Sequence, residues 1–336
     1  MKNSAGAYSL AVLLCVLSIF FLSAAAYSQL DIEHKDKAGL FPISRDGKWG
    51  FIDRTGKTVI EPKFEAAFPF TEGLSRIQLN GKWGYIDREG AVVIKPQFDG
   101  ADRFSDGLAE ITMKGKSGYI DKTGTIVIPA RFDDAQAFSE GLAAMKLNGK
   151  WGFIDRAGKT VIEPKYVEIS RFSDGFAAVL MGKKYGYIDH SGQTAIQPVY
   201  DFALPFAEGL APVVLNKKFG YIDKQDIFVI QPQFRNGNRF SDGLARVQVK
   251  RTWGFVDKTG ALVISPQFKK ANRFTEGLAG IQVGSKWGFI DRTGKQVIKP
   301  VYDYIDPFSE GLARVQSGTK WGYIDTTGKY VFEPCE

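Results

Sequence analysis

Cysteine and histidine are nearly missing from this 336-residue chain, which carries two of each. Cys15 and Cys335 stand at opposite ends, so no disulfide framework staples the fold. Neither His34, ahead of the array, nor His190, in a turn, has a partner cysteine or serine motif of the kind zinc sites and histidine-based triads need. Phosphate loops and dinucleotide fingerprints are missing as well. No catalytic residue, cofactor site or metal site is therefore expected, and the chain reads as not an enzyme. Long helical segments are also excluded, because 37 Gly and 14 Pro break the chain too often. After residue 27 no apolar run is long enough to cross a membrane as a helix.

One apolar stretch is present, from Ala7 to Tyr27, preceded by Lys2 and closed by Ala24-Ala25-Ala26 and Ser28. It reads as a secretory signal peptide over residues 1–28, cleaved after Ala26 or Ser28. An uncleaved anchor is the other reading, and the small residues at its end favour cleavage. Cys15 sits inside the apolar run, which does not fit a lipoprotein anchor. Residues 29–38 read as an N-terminal linker and residues 39–336 as one array. The expected location is exported: periplasmic, outer surface or secreted.

What the chain has in abundance is periodicity. Trp-Gly or a variant falls at 49, 83, 117, 151, 185, 219, 253, 287 and 321, every 34 residues without a slip. Within each unit the apolar runs are short and rich in Ile, Val, Phe and Tyr, which suits strands. Asn80-Gly81 and Asn148-Gly149 sit between two such runs as hairpin turns. Each unit thus reads as a three-stranded antiparallel meander, for example 74–79, 82–86 and 91–94. A connector with a short helical turn is expected over 96–106.

Lys82-Trp83-Gly84-Tyr85-Ile86-Asp87 and its eight echoes resemble the hallmark phrase of the bacterial WG-repeat family. The resemblance covers residues 39 to 334. It implies an interaction or structural module and assigns no chemistry.

All six Trp, at 49, 83, 151, 253, 287 and 321, fill one slot and are expected as wedges between units. An aromatic platform for sugars is the alternative. The following Gly is expected beneath a neighbouring unit's ring. Asp53, Asp87, Asp155, Asp291 and their equivalents form a row that could bind Ca²⁺, but their place before a Gly points to turn chemistry. A second acidic row, Glu72 to Glu310, reads as loop or cap chemistry ahead of each new strand. Phe70 and its equivalents should pack the connector onto the sheet. The slot departs from Trp at Ser117, Tyr185 and Phe219, which marks a candidate specialised site. Lys precedes the slot in eight of nine copies. These basic rows read as soluble hairpin edges, with attraction to acidic polymers as the alternative.

The function expected is a non-catalytic protein-interaction or envelope scaffold, with a lectin-like binder of cell-wall or acidic polysaccharide as the alternative. The partner expected is an envelope or extracellular protein or a polysaccharide, not nucleic acid, and the oligomeric state is not legible. The fold class expected is all-β, an open β-solenoid or superhelix of nine meanders, with a closed propeller-like ring as the alternative. Propellers usually have four-stranded blades and no more than eight of them, and 27 strands side by side would span at most about 130 Å.

Overall fold

The computed structural model describes residues 39–335; the expected signal peptide and linker lie outside them. All regular structure among the described residues is β, in nine small antiparallel sheets. The second is typical: Ala66–Ala67, Ser75–Leu79, Lys82–Ile86 and Val92–Phe98 lie side by side in chain order. The sheets beginning at Phe41–Arg45 and Ala177–Met181 have three strands. In the latter a single bridge, Ile169 to Val179, marks the place of the missing one.

The expected connector holds no helix. In seven of the nine sheets its residues make a fourth strand, two residues long except for Lys270–Thr275, and then a tight hairpin. Glu72 and Gly73 both have positive φ, 51° and 89°, and Thr71 and Leu74 bond across them. That is the primed turn that matches strand twist.

The nine sheets form a closed ring, a nine-bladed β-propeller, and the open solenoid is overturned. Nine stacked units in a row have eight interfaces, whereas this chain has nine. Each apolar cluster joins one blade to the next; Leu74, Tyr85, Ile94 and Phe98, for example, meet Phe104, Ala109, Ile111 and Ile120. The ninth cluster joins the two ends: Leu312, Tyr323 and Phe332 pack on Phe41, Ile43 and Ile52. Tyr323 also donates a 2.8 Å hydrogen bond to the Pro42 carbonyl. Polar contacts keep their register across the seam. Glu72 meets Lys122, Glu140 meets His190 and Glu208 meets Lys258 at 3.1–3.2 Å, and the same step carried across the chain ends pairs Glu310 with Arg54 at 3.7 Å.

The buried wedge at each interface is not the Trp. It is the aromatic residue two positions later: Phe51, Tyr85, Tyr119, Phe153, Tyr187, Tyr221, Phe255 or Phe289, at 0–1% exposure, and at the ninth interface Tyr323, at 6%. Each of the first eight packs on the Phe of the following blade's inner hairpin, with Tyr85–Phe104 and Tyr119–Phe138 centroids 4.9 Å apart. Tilted pairs of this kind add about 0.5–1.5 kcal/mol beyond their burial. The Phe70 row thus packs on a neighbouring blade, and not simply on its own sheet.

Closure changes the molecule's size in solution. Scattering from residues 29–336 should give a radius of gyration near the compact value of roughly 20 Å. A rod of about 130 Å would give on the order of 35–40 Å, and such a value would reinstate the open array.

Candidate functional site

Three surfaces follow from this ring: two faces, where opposite ends of the strands emerge, and the central channel. The Asp-turn face is built from backbone amides. Asp121 Oδ1 accepts from the N–H groups of Thr123 and Thr125 at 2.9 and 3.0 Å and from the Thr123 hydroxyl at 2.6 Å. Asp53, Asp87, Asp155 and Asp291 accept from the two equivalent amides in their own turns. These bonds, led by that from Thr123, hold the Asp121 carboxyl below its ordinary pKa. Among the described residues no three or more His, Cys, Asp or Glu side chains gather to hold a metal ion.

The second acidic row lies on the same face and links neighbouring blades. Glu72 accepts from Gly107 N–H, Asp106 from Gly141, Glu140 from Gly175, and the series continues to Glu276 and Gly311, at 2.7–3.1 Å. A residue with φ near 50° would ordinarily be Gly or Asn. An acid stands there because its carboxylate satisfies the next blade's amide.

The opposite face carries the Trp slot. Trp49, Trp83, Trp151, Trp253, Trp287 and Trp321 are all half-buried there, as are Tyr185 and Phe219. Their inner edges rest on the interface clusters; Trp49, Trp83 and Trp151 each pack on one. Basic side chains lie over several rings: Arg76 on Trp83, Arg246 on Trp253, Arg314 on Trp321 and Lys146 on Trp151, at 4.3–5.8 Å. The Gly after each slot is not covered by a neighbour's ring. It sits under the outer strand of its own blade, which bulges over it.

Half of the lysine row on this face is neutralised by acidic partners. Lys82, Lys116, Lys184 and Lys286 pair with Asp99, Asp133, Asp201 and Asp303 of the next blade at 2.5–2.8 Å. The partner positions for Lys150 and Lys218 hold Val167 and Arg235 instead. The constant 17-residue Lys-to-Asp spacing was visible in the sequence as a signal for these pairs.

The three departures from Trp do not converge, since they lie in different blades. Ser117 is buried, at 5% exposure, against Glu110. Burial raises the Glu110 pKa, and hydrogen bonding from Ser117 opposes the rise. The Tyr185 hydroxyl donates to Glu168 in its own blade; burial, then this contact, pushes its pKa up to about 12. The Phe219 ring stands beside Gly237 of the next blade.

The central channel was not anticipated, because an open array has none. The short first strands line it, and a cavity of about 480 Å³ there takes walls from four consecutive blades, including Phe68, Arg76, Arg103, Gln136 and Arg171. One position just before the buried Phe is variable from blade to blade: Pro69, Arg103, Ala137, Arg171, Pro205, Arg239, Arg273 and Pro307. Burial, then repulsion from Arg273 and Arg171, lowers the Arg239 pKa, so guanidiniums from three blades feel one another. Variation at a position within an otherwise strict repeat is the sequence signal that marks this wall.

The class of protein is therefore a nine-bladed propeller built from one repeated motif, whose variable positions face the axis. The WG containing repeat matches at residues 49–83, 83–116, 118–151, 151–185, 185–219, 219–251, 253–287, 287–321 and 321–334, and the chain belongs to that family. No curated protein sequence matches it. Among solved structures, a eukaryotic initiation factor shares the fold, with a TM-score of 0.64, 14% identity, and 88% of this chain and 96% of that chain covered. Looser likenesses are dihydro-heme d1 dehydrogenase NirN (TM-score 0.47, 16% identity, 78% and 73% covered) and BamB from Moraxella catarrhalis (0.45, 12%, 75% and 88%).

Proposed function

We propose that this chain is an exported, non-catalytic scaffold that engages a protein partner through its Trp-bearing face. The observation that carries the reading is the row of half-exposed aromatic rings, several with a guanidinium or ammonium laid over them. Trp, Tyr and Arg are the residues most enriched at energetic centres of protein interfaces. Repetition around the ring multiplies weak contacts into avidity. The signal-like residues 1–28 support export, so the partner is an envelope or extracellular protein. Its complementary chemistry is apolar side chains flanked by carboxylates, which would meet the unpaired Lys150 and Lys218.

The test is retention of solubilised envelope components on immobilised residues 29–336, with proteins and glycans identified separately. A discrete protein should be retained, lost with K150E/K218E, and kept with the Asp-turn-face variant Lys159→Glu. Polysaccharide retained instead, and lost with Trp83→Phe and Trp287→Phe, would replace the scaffold with the lectin reading. Those substitutions should keep the fold, because Phe219 already occupies the slot in one blade.

A further inference from the structure

We propose that the central channel is a binding site for a small polyanion bearing several phosphate or carboxylate groups. Arg103, Arg171, Arg239 and Arg273 come from blades three, five, seven and eight and occupy one equivalent position on the channel wall. None of the four has a carboxylate within ion-pair distance among the described residues. Three arginines on the adjoining strands are already engaged. Arg76 binds Asp102 at 3.0 Å and the Ala101 carbonyl at 2.7 Å. Arg314 binds Asp306 at 2.9 Å, and Arg246 donates to the Ala271 carbonyl. The carboxylates of Asp102 and Asp306 are thus held by their own partners and leave the four guanidiniums uncompensated.

Like charges do not collect in a confined space without a cost, and nothing in the propeller fold demands them there. The same position is Pro or Ala in four other blades, so the wall is complete without Arg. A concave site with low-dielectric walls concentrates the field of such a cluster on whatever enters. Guanidinium binds phosphate and carboxylate through two parallel hydrogen bonds, which suits it to either group. The cavity of about 480 Å³ that Arg103 and Arg171 help to line is the size of a small-molecule site. Asp102 is the acidic side chain that lines this cavity, and it is the carboxylate held by Arg76.

Titration calorimetry of residues 29–336, which hold every described strand, tests this with sodium tripolyphosphate and with citrate. One anion per chain should bind, and the tighter of the two names the phosphate or carboxylate source. R103Q/R171Q should weaken binding by about tenfold or more, since both side chains are exposed and the fold does not rest on them. The control K159Q/K329Q removes the same charge from the exposed Asp-turn face and should change affinity by less than about twofold. Circular dichroism confirms that both variants are folded; if R103Q/R171Q is not, Arg273→Gln with the same readout takes its place. Failure of both anions to bind saturably at millimolar concentration overturns the proposal. So does equal loss in the lysine control, which would reduce the effect to net charge.

Discussion

Gly152→Ala is expected to destabilise the ring by about 3 kcal/mol, at the upper end of what one added methyl costs in a packed site. A Cβ on Gly152 would stand 2.4 Å from the Ile162 carbonyl oxygen and 2.7 Å from the Pro164 nitrogen. Both are backbone atoms, so no side-chain rotation relieves the clash. The cause is a bulge: Trp151 pairs with Tyr166 and Phe153 with Ile162, so Gly152 alone faces three residues of the outer strand. The control is Gly149→Ala in the hairpin turn. Gly149 has φ of +75° but nothing within 4 Å of an added Cβ, so only conformational strain of about 1 kcal/mol applies. Urea denaturation followed by far-UV circular dichroism reads both variants. The midpoint for Gly152→Ala should fall well below that for Gly149→Ala with the slope unchanged. Equal midpoints would mean that the outer strand yields freely and that the invariant Gly has another reason.

That bulge also shows where the repeat was legible and where it was not. Strand positions were readable because apolar alternation and Asn-Gly turns are local: Lys82–Ile86 lies where the spacing placed it. The fourth strand was not, because it is two residues long in six of the seven blades that have it, and in the second and third blades it is made of Ala66, Ala67, Gly100 and Ala101, which carry no strand preference. Without it each unit looked too thin for a propeller blade, and the open array followed from that miscount. The wedge was misassigned for a related reason. Trp is the larger ring, but period-two alternation from buried Phe51 or Tyr85 puts Trp on the same side at the strand's solvent end. The Asp turns, by contrast, use only bonds within five residues, so their chemistry could be reasoned from spacing alone. Channel residues could not be located before closure was known: the variation at 69, 103, 137, 171 and their equivalents is visible in the sequence, but that this position faces an axis is not.

Tyr323→Ala is expected to cost about 3–5 kcal/mol, as truncation of a buried aromatic does, and to open the ring at one defined place. Eight interfaces join blades that the chain also joins covalently; the ninth is held by non-covalent contacts alone. Its apolar cluster has six buried residues, whereas the others have seven to nine. The seam has been repaired locally. Where the other blades place Ala109, Ala143, Ala177, Ala211 or their equivalents, the first blade has Phe41, whose ring lies 5.5 Å from that of Tyr323. The equivalent truncation Tyr119→Ala removes a ring of the same kind from an interior interface, where Phe138 would lose its partner. The two variants should therefore lose similar global stability but differ in where they loosen. In Tyr323→Ala, hydrogen exchange should accelerate first in Phe41–Arg45 and Lys320–Asp325, with blades four to six still protected. In Tyr119→Ala the end blades should keep their protection, because the chain still tethers the weakened neighbours. Uniform exchange in both variants would show that the ring melts as one unit with no weak seam. Acceleration confined to the ends would make the contact between Tyr323 and Phe41 the latch that closes the propeller.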